Sequence, residues 1–158
     1  MNASDLVVER EKLQFRMSRL FNASPQSLWK AMTQADLIPK WWGPAKYTTV
    51  VEKLELRVGG AWRFIQTDAT DGSVHVFNGV YKEIVPAQRL VYTFEYEPFA
   101  GHVSTDAITL EALAGGRTRV TTVTSFDNLE DLDGMLQSGM EGGANEAWDR
   151  LETLAQTV

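Results

Sequence analysis

Ser138-Gly139-Met140-Glu141-Gly142-Gly143-Ala144-Asn145-Glu146-Ala147-Trp148-Asp149-Arg150-Leu151 sets three glycines inside a run whose apolar residues otherwise repeat like a helix. Leu132, Leu136, Met140, Ala144 or Ala147, Leu151 and Leu154 recur every three or four residues, the spacing of one helical face. Glycine in a helix interior costs roughly 0.5–1 kcal/mol relative to alanine, so the three need a reason. Closeness is one. Such a helix can lie against a sheet, or border a cavity, where larger side chains would collide. The spacing predicts one long terminal helix over 129–155, gripped by a sheet with space between the two.

Upstream, the chain supplies that sheet. Residues 13–20 (LQFRMSRL) alternate apolar and polar, the period of a half-buried strand. Ser24-Pro25 is a helix start, a capping hydroxyl followed by proline in the first turn. A second short helical piece at 36–39 leads into the turn Trp41-Trp42-Gly43-Pro44. Six further strands are predicted over 47–56, 61–67, 74–85, 89–96, 104–112 and 117–126. Gly59-Gly60, Asp71-Gly72, Pro86, Pro98 with Gly101, and Gly115-Gly116 punctuate them. Connections this short favour an antiparallel meander, because parallel strands need crossover helices. The expected architecture is α+β. A curved antiparallel sheet of about seven strands wraps a long C-terminal helix, with two short helices after the first strand. One domain spans 1–158, with 1–11 as a loosely held lead-in.

Bulk properties exclude several functions. A formal charge of −6 and scattered basic residues argue against nucleic acid and against an anionic membrane surface. With no cysteine there is no disulfide, thiolate metal site or cysteine nucleophile. The start of the chain lacks a basic segment followed by an apolar run, and no stretch is long enough to span a membrane. A cytoplasmic protein is expected. Gly59-Gly60 and Gly142-Gly143 lack the spacing and the lysine of a phosphate loop, and no serine sits in a Gly-x-Ser-x-Gly elbow. His75 and His102 have no companions at metal-ligand spacing, so neither a metal nor a cofactor is expected.

Four motifs in this order resemble a known family: Trp41-Trp42-Gly43-Pro44, then RVGGAWRF at 57–64, then PAQRLVYTFEY at 86–96, then GMEGG at 139–143. They look like bacterial members of the family named after the activator of the 90-kDa heat-shock-protein ATPase (AHSA-like), within the START-like or SRPBCC superfamily. The resemblance runs over about 13–154. It implies a helix-grip fold and a cavity between the long helix and the sheet, used across the superfamily for lipids, sterols, polyketides and plant hormones. It also implies a link to the stress response. The eukaryotic namesakes carry an additional N-terminal domain that contributes to chaperone binding, and with 158 residues in a single domain no counterpart is expected here.

Individual residues can then be assigned. Trp62, Phe64, Phe77, Tyr81, Tyr92, Phe94 and Tyr96 form an aromatic series on adjacent predicted strands, where side chains two apart share a face. They are read as a pocket wall for an apolar or ring-bearing ligand, with hydrophobic core as the competing reading. Met135, Gly139, Met140 and Gly143 extend the candidate ligand site onto the helix, since thioethers adapt to varied ligands and glycines leave space. Trp42 is a lid or an exposed anchor. Trp41 and Trp42 together are the candidate surface for a protein partner, against a structural plug with one indole buried. The weak catalytic candidates are His75, Tyr81 and Asp106, with Asp106 facing Glu141 across the cavity.

Three functions follow. The first is a binding protein for a small apolar ligand, without catalysis. The second is a protein-interaction module such as a chaperone ATPase co-regulator. The third is an enzyme like the polyketide cyclases. Either a monomer or a homodimer is compatible with the exposed strand edges and the tryptophan turn.

Overall fold

Phe15, Met17, Arg19 and Phe21 alternate with more exposed neighbours, and all four are buried on one face of a strand, as their period of two requires. In the computed structural model, which describes residues 4–158, this strand is β2 (Gln14–Phe21). It follows β1 (Asp5–Glu9) and precedes α1 (Pro25–Thr33) and a short 3-10 helix, Ile38–Lys40. Then come β3 (Tyr47–Leu54), β4 (Ala61–Asp68), β5 (Val74–Val85), β6 (Arg89–Tyr96), β7 (Val103–Leu113) and β8 (Arg117–Ser125). Two helices, α2 (Leu129–Gln137) and α3 (Met140–Ala155), end the chain. The strands form one antiparallel sheet in the order β1-β2-β8-β7-β6-β5-β4-β3. The fold is α+β and helix-grip, as the sequence predicts, with eight strands in place of about seven.

The extra strand is β1. The lead-in expected over 1–11 pairs with β2 from Asp5↔Ser18 to Glu9↔Gln14. Leu13, at φ 54°, helps turn the chain back into β2. Ser4 donates from both its backbone N–H and its hydroxyl to Asn145 Oδ1 on α3, at 3.1 and 2.6 Å. Leu6 packs with the cluster of Phe15, Met17 and Leu132. One apolar anchor and a long-range tether are not visible as a periodic pattern. The first three residues of that lead-in lie outside the described residues.

The predicted single helix over 129–155 is two helices. Ser138 and Gly139 separate them, and Gly139 adopts φ 83°, a left-handed conformation that glycine reaches without a Cβ penalty. Closeness does not explain the glycines. A Cβ built at 139 or 142 would meet nothing within 4 Å, and one at 143 would meet only Pro44 Cγ at 3.6 Å. Gly139 serves the break, and Gly143 leaves room.

Caps define the helix starts. Ser24 accepts from the Ser27 N–H at 3.1 Å to begin α1, and Asn128 accepts from the Asp131 N–H at 2.8 Å to begin α2. No described helix is long and apolar enough to cross a membrane.

Arg19 fixes α3 against the sheet. It points inward, is 3% exposed, and donates to Asp149 Oδ1 at 2.7 Å and Glu152 Oε1 at 2.8 Å on α3. Its guanidinium lies 4.7 Å from the Phe21 ring centroid. A charge this deep is tolerable only when paired, so these contacts set the helix register more than they add net stability. Beyond them, Leu151 and Ala155 pack with Phe21, Leu28, Leu110 and Val120 into a closed core.

Candidate functional site

The inner stripe of α3 changes character along its length. Met140, Gly143, Ala144, Ala147 and Trp148 follow the i, i+3, i+4, i+7, i+8 spacing of one helical face, and all border a cavity of about 310 Å³ beneath the helix. Glycine and two alanines leave that volume open. Leu151, one turn further on, fills it. Apolar surface dominates the lining, with Phe15, Met17, Met32, Trp42, Phe77 and Phe94 among the walls and Met135 supplied by α2.

Strand register builds the polar end. Tyr92 on β6 lies opposite Asp106 on β7, which lies opposite Thr124 on β8, which lies opposite Phe15 on β2. The next inward row runs Leu90, Ile108, Thr122, Met17. Thr124 Oγ1 donates to Asp106 Oδ1 at 2.5 Å. Ser104, Gln66 and Thr122 complete the polar lining. Gln66 is buried and donates from Nε2 to the Trp42 carbonyl at 3.2 Å and to Thr49 Oγ1 at 3.3 Å.

Asp106 is the unusual group. Burial pushes its pKa from 3.8 up to about 6, against the opposing effect of the Thr124 hydrogen bond. It retains partial accessibility because it borders the cavity. Burial, then the neighbouring negative charge of Asp106, then Tyr81, raise the Tyr92 hydroxyl well above its ordinary value. An acid that protonates more easily folded than unfolded costs stability above pH 6, and the cost disappears as pH falls towards 4. Asp106→Asn keeps an acceptor for Thr124 and removes the charge. It is expected to raise stability at pH 7 by on the order of 1–2 kcal/mol and to leave it unchanged near pH 4, measured by urea unfolding at both values.

The predicted site residues divide into two groups. Trp42, Phe77, Tyr92, Phe94, Met135, Met140, Gly143 and Asp106 border the cavity. Trp62, Phe64 and Tyr81 do not. With Ile38 and Leu90 they form a second, adjoining core, and the space they border is about 30 Å³, enough for solvent and not for a ligand. Gly139 also lies outside, at the helix break. Trp42 stands between the two regions, its ring edge-on to Phe64 at 5.1 Å and Phe77 at 5.2 Å. Trp41 is the buried plug. Its indole N–H donates to the Ala31 carbonyl at 2.7 Å.

Three catalytic expectations change, the first being Tyr81, which is buried in the core with Trp62 and Phe64 and not at the cavity. His75 is away from the lining, with Nδ1 2.7 Å from the Tyr96 hydroxyl and Nε2 3.2 Å from Ser73 Oγ. Glu141 is exposed and does not meet Asp106, because the break at Gly139 turns the first residues of α3 so that Met140 faces inward instead. Sequence reasoning missed Gln66, Ser104, Thr122, Thr124 and Phe15. Their signal was a polar or aromatic residue at the inward parity of a strand, which becomes specific only once strand register is known. Among the described residues no three His, Asp or Glu side chains converge as a metal site would need.

With this geometry in view, comparison with known proteins is informative. The fold is shared with a solution structure of a protein from Arthrobacter aurescens, at 24% identity and a TM-score of 0.87 over 98% of this chain and 92% of that one. A Rhodobacter sphaeroides protein matches at 22% identity and 0.87, covering 98% and 99%. One from Chromobacterium violaceum matches at 25% identity and 0.81, covering 91% and 97%. No curated protein matches the sequence. Residues 22–156 match the family described as Activator of Hsp90 ATPase homolog 1-like protein. A match across most of the chain, on a sheet and helices arranged as that family's resemblance implied, makes this chain a member of the Activator of Hsp90 ATPase homolog 1-like family.

Proposed function

We propose that the protein binds a small apolar molecule between the sheet and α3, as a carrier or receptor without turnover. The cavity of about 310 Å³ carries this reading. Its size sits at the lower end of ligand sites, which run from about 300 to 1,000 Å³, and its lining has their usual composition of apolar walls with a few convergent polar groups. Four methionines in the lining suit a site that adapts to ligand shape. The cyclase-like alternative keeps Asp106 in the cavity but neither His75 nor Tyr81. A chaperone partner is supported by the family description alone.

N-phenyl-1-naphthylamine, an uncharged fluorophore that brightens in apolar surroundings, provides the test. Titration into the folded protein should give saturable enhancement and quench tryptophan emission, since Trp41, Trp42 and Trp148 border the cavity. A linear, non-saturating response would count against a ligand site.

A further inference from the structure

The cavity contains an acid and no base. Of the described residues that border it, only Asp106 and Tyr92 titrate, and none is a lysine, arginine or histidine. Arg19 on β2 is committed to Asp149 and Glu152, and Arg150 on α3 donates to the Gly43 and Lys40 carbonyls. Thr124 occupies one carboxylate oxygen of Asp106, and Oδ2 has no hydrogen-bond partner among the described residues. The Tyr92 hydroxyl beside it likewise has none.

We infer that the ligand is a lipophilic primary amine, seated with its ammonium group against Asp106 and its hydrocarbon part along Phe94, Phe77 and the α3 methionine. This rests on the cavity being a ligand site, as proposed above. Charge decides the class. A fatty acid would bring a second carboxylate beside Asp106 into a site with no cation, and burying unpaired charge is strongly unfavourable. An alcohol could donate one hydrogen bond to Oδ2 but would leave the buried carboxylate uncompensated. An ammonium group supplies both donors and countercharge, and charge-assisted hydrogen bonds are about twice as strong as neutral ones. Tyr92, Trp42 and Phe94 line the same cavity, and aromatic rings are favourable neighbours for a cation.

Isothermal titration calorimetry at pH 7.5 with n-octylamine, 1-octanol and octanoate isolates the head group, because the three share one chain. The expected order of affinity is amine, then alcohol, then carboxylate, with roughly tenfold between the first two. Asp106→Asn should weaken the amine by about tenfold and leave the alcohol nearly unchanged. Its fold is checked by the stability gain expected above. Octanol or octanoate binding as tightly as octylamine would overturn the assignment, as would an amine affinity that Asp106→Asn does not alter. If N-phenyl-1-naphthylamine saturates the protein while octylamine fails to bind, the amine assignment falls and the cavity stands. If none of the four binds, both fall.

Discussion

Gly79→Ala is expected to leave no stably folded protein at 37 °C. A Cβ at this position would lie 1.8 Å from the Thr93 carbonyl oxygen and 2.4 Å from Trp62 Nε1. The first is backbone of the neighbouring strand, which cannot step aside as a flexible side chain could. The second belongs to a buried indole packed against Phe64, Tyr92 and Phe94. Glycine at 79 lets β5 and β6 approach closely, and Val80 N–H turns to Thr93 Oγ1 at 2.8 Å at this point. Relief would require parting two central strands or expelling Trp62 from its core, at a cost of more than about 4 kcal/mol. Circular dichroism melts decide it. A cooperative transition within a few degrees of the parent would refute the packing described here. Gly142→Ala is the matched control, because its Cβ would meet nothing within 4 Å on an exposed turn of α3. It should stabilise by roughly 0.5–1 kcal/mol. The same substitution thus has opposite signs at two glycines of one chain.

Ala144→Phe is expected to abolish binding while preserving the fold. Ala144 sits in the middle of the small-residue stripe of α3 and faces the open volume. A benzyl group there occupies much of the space a ligand would use and finds apolar neighbours in Met135, Met140 and Trp148, with which Ala144 already shares a cluster. Affinity for N-phenyl-1-naphthylamine should fall by more than about tenfold, and the melting temperature should hold or rise, since filling a void restores dispersion contacts. Retained affinity in a folded variant would place the probe elsewhere on the protein.

Local pattern made much of the fold legible, and pairing made the rest illegible. β5 and β6 run between the residues their alternation predicts, Val74–Val85 and Arg89–Tyr96, because period-two burial and the Pro86 turn are properties of neighbouring residues. Ser24-Pro25 announced α1 for the same reason. Apolar periodicity carried straight through Ser138 and Gly139, since a left-handed residue can redirect a helix without disturbing the spacing on either side. The cavity was legible as a helix stripe of small residues. Its wall was legible only by half. Trp62 and Phe94 share aromatic character and inward parity, yet Trp62 is buried in the core with Ile38, Phe64, Tyr81 and Leu90, while Phe94, packed against that core, borders the cavity. The row Tyr92–Asp106–Thr124 joins positions far apart in sequence, so no window along the chain could reveal it.

Methionine methyl NMR tests the central claim most directly. The chain has five methionines, and four of them, Met17, Met32, Met135 and Met140, border the cavity from β2, α1, α2 and α3. With ¹³C-methyl methionine labelling, titration of N-phenyl-1-naphthylamine should shift or broaden these four resonances together, with one shared saturation curve. The Ala144→Phe protein should show no such response. If all four stay fixed while the probe binds, the molecule sits outside the space between sheet and helix, and the cavity is not the ligand site.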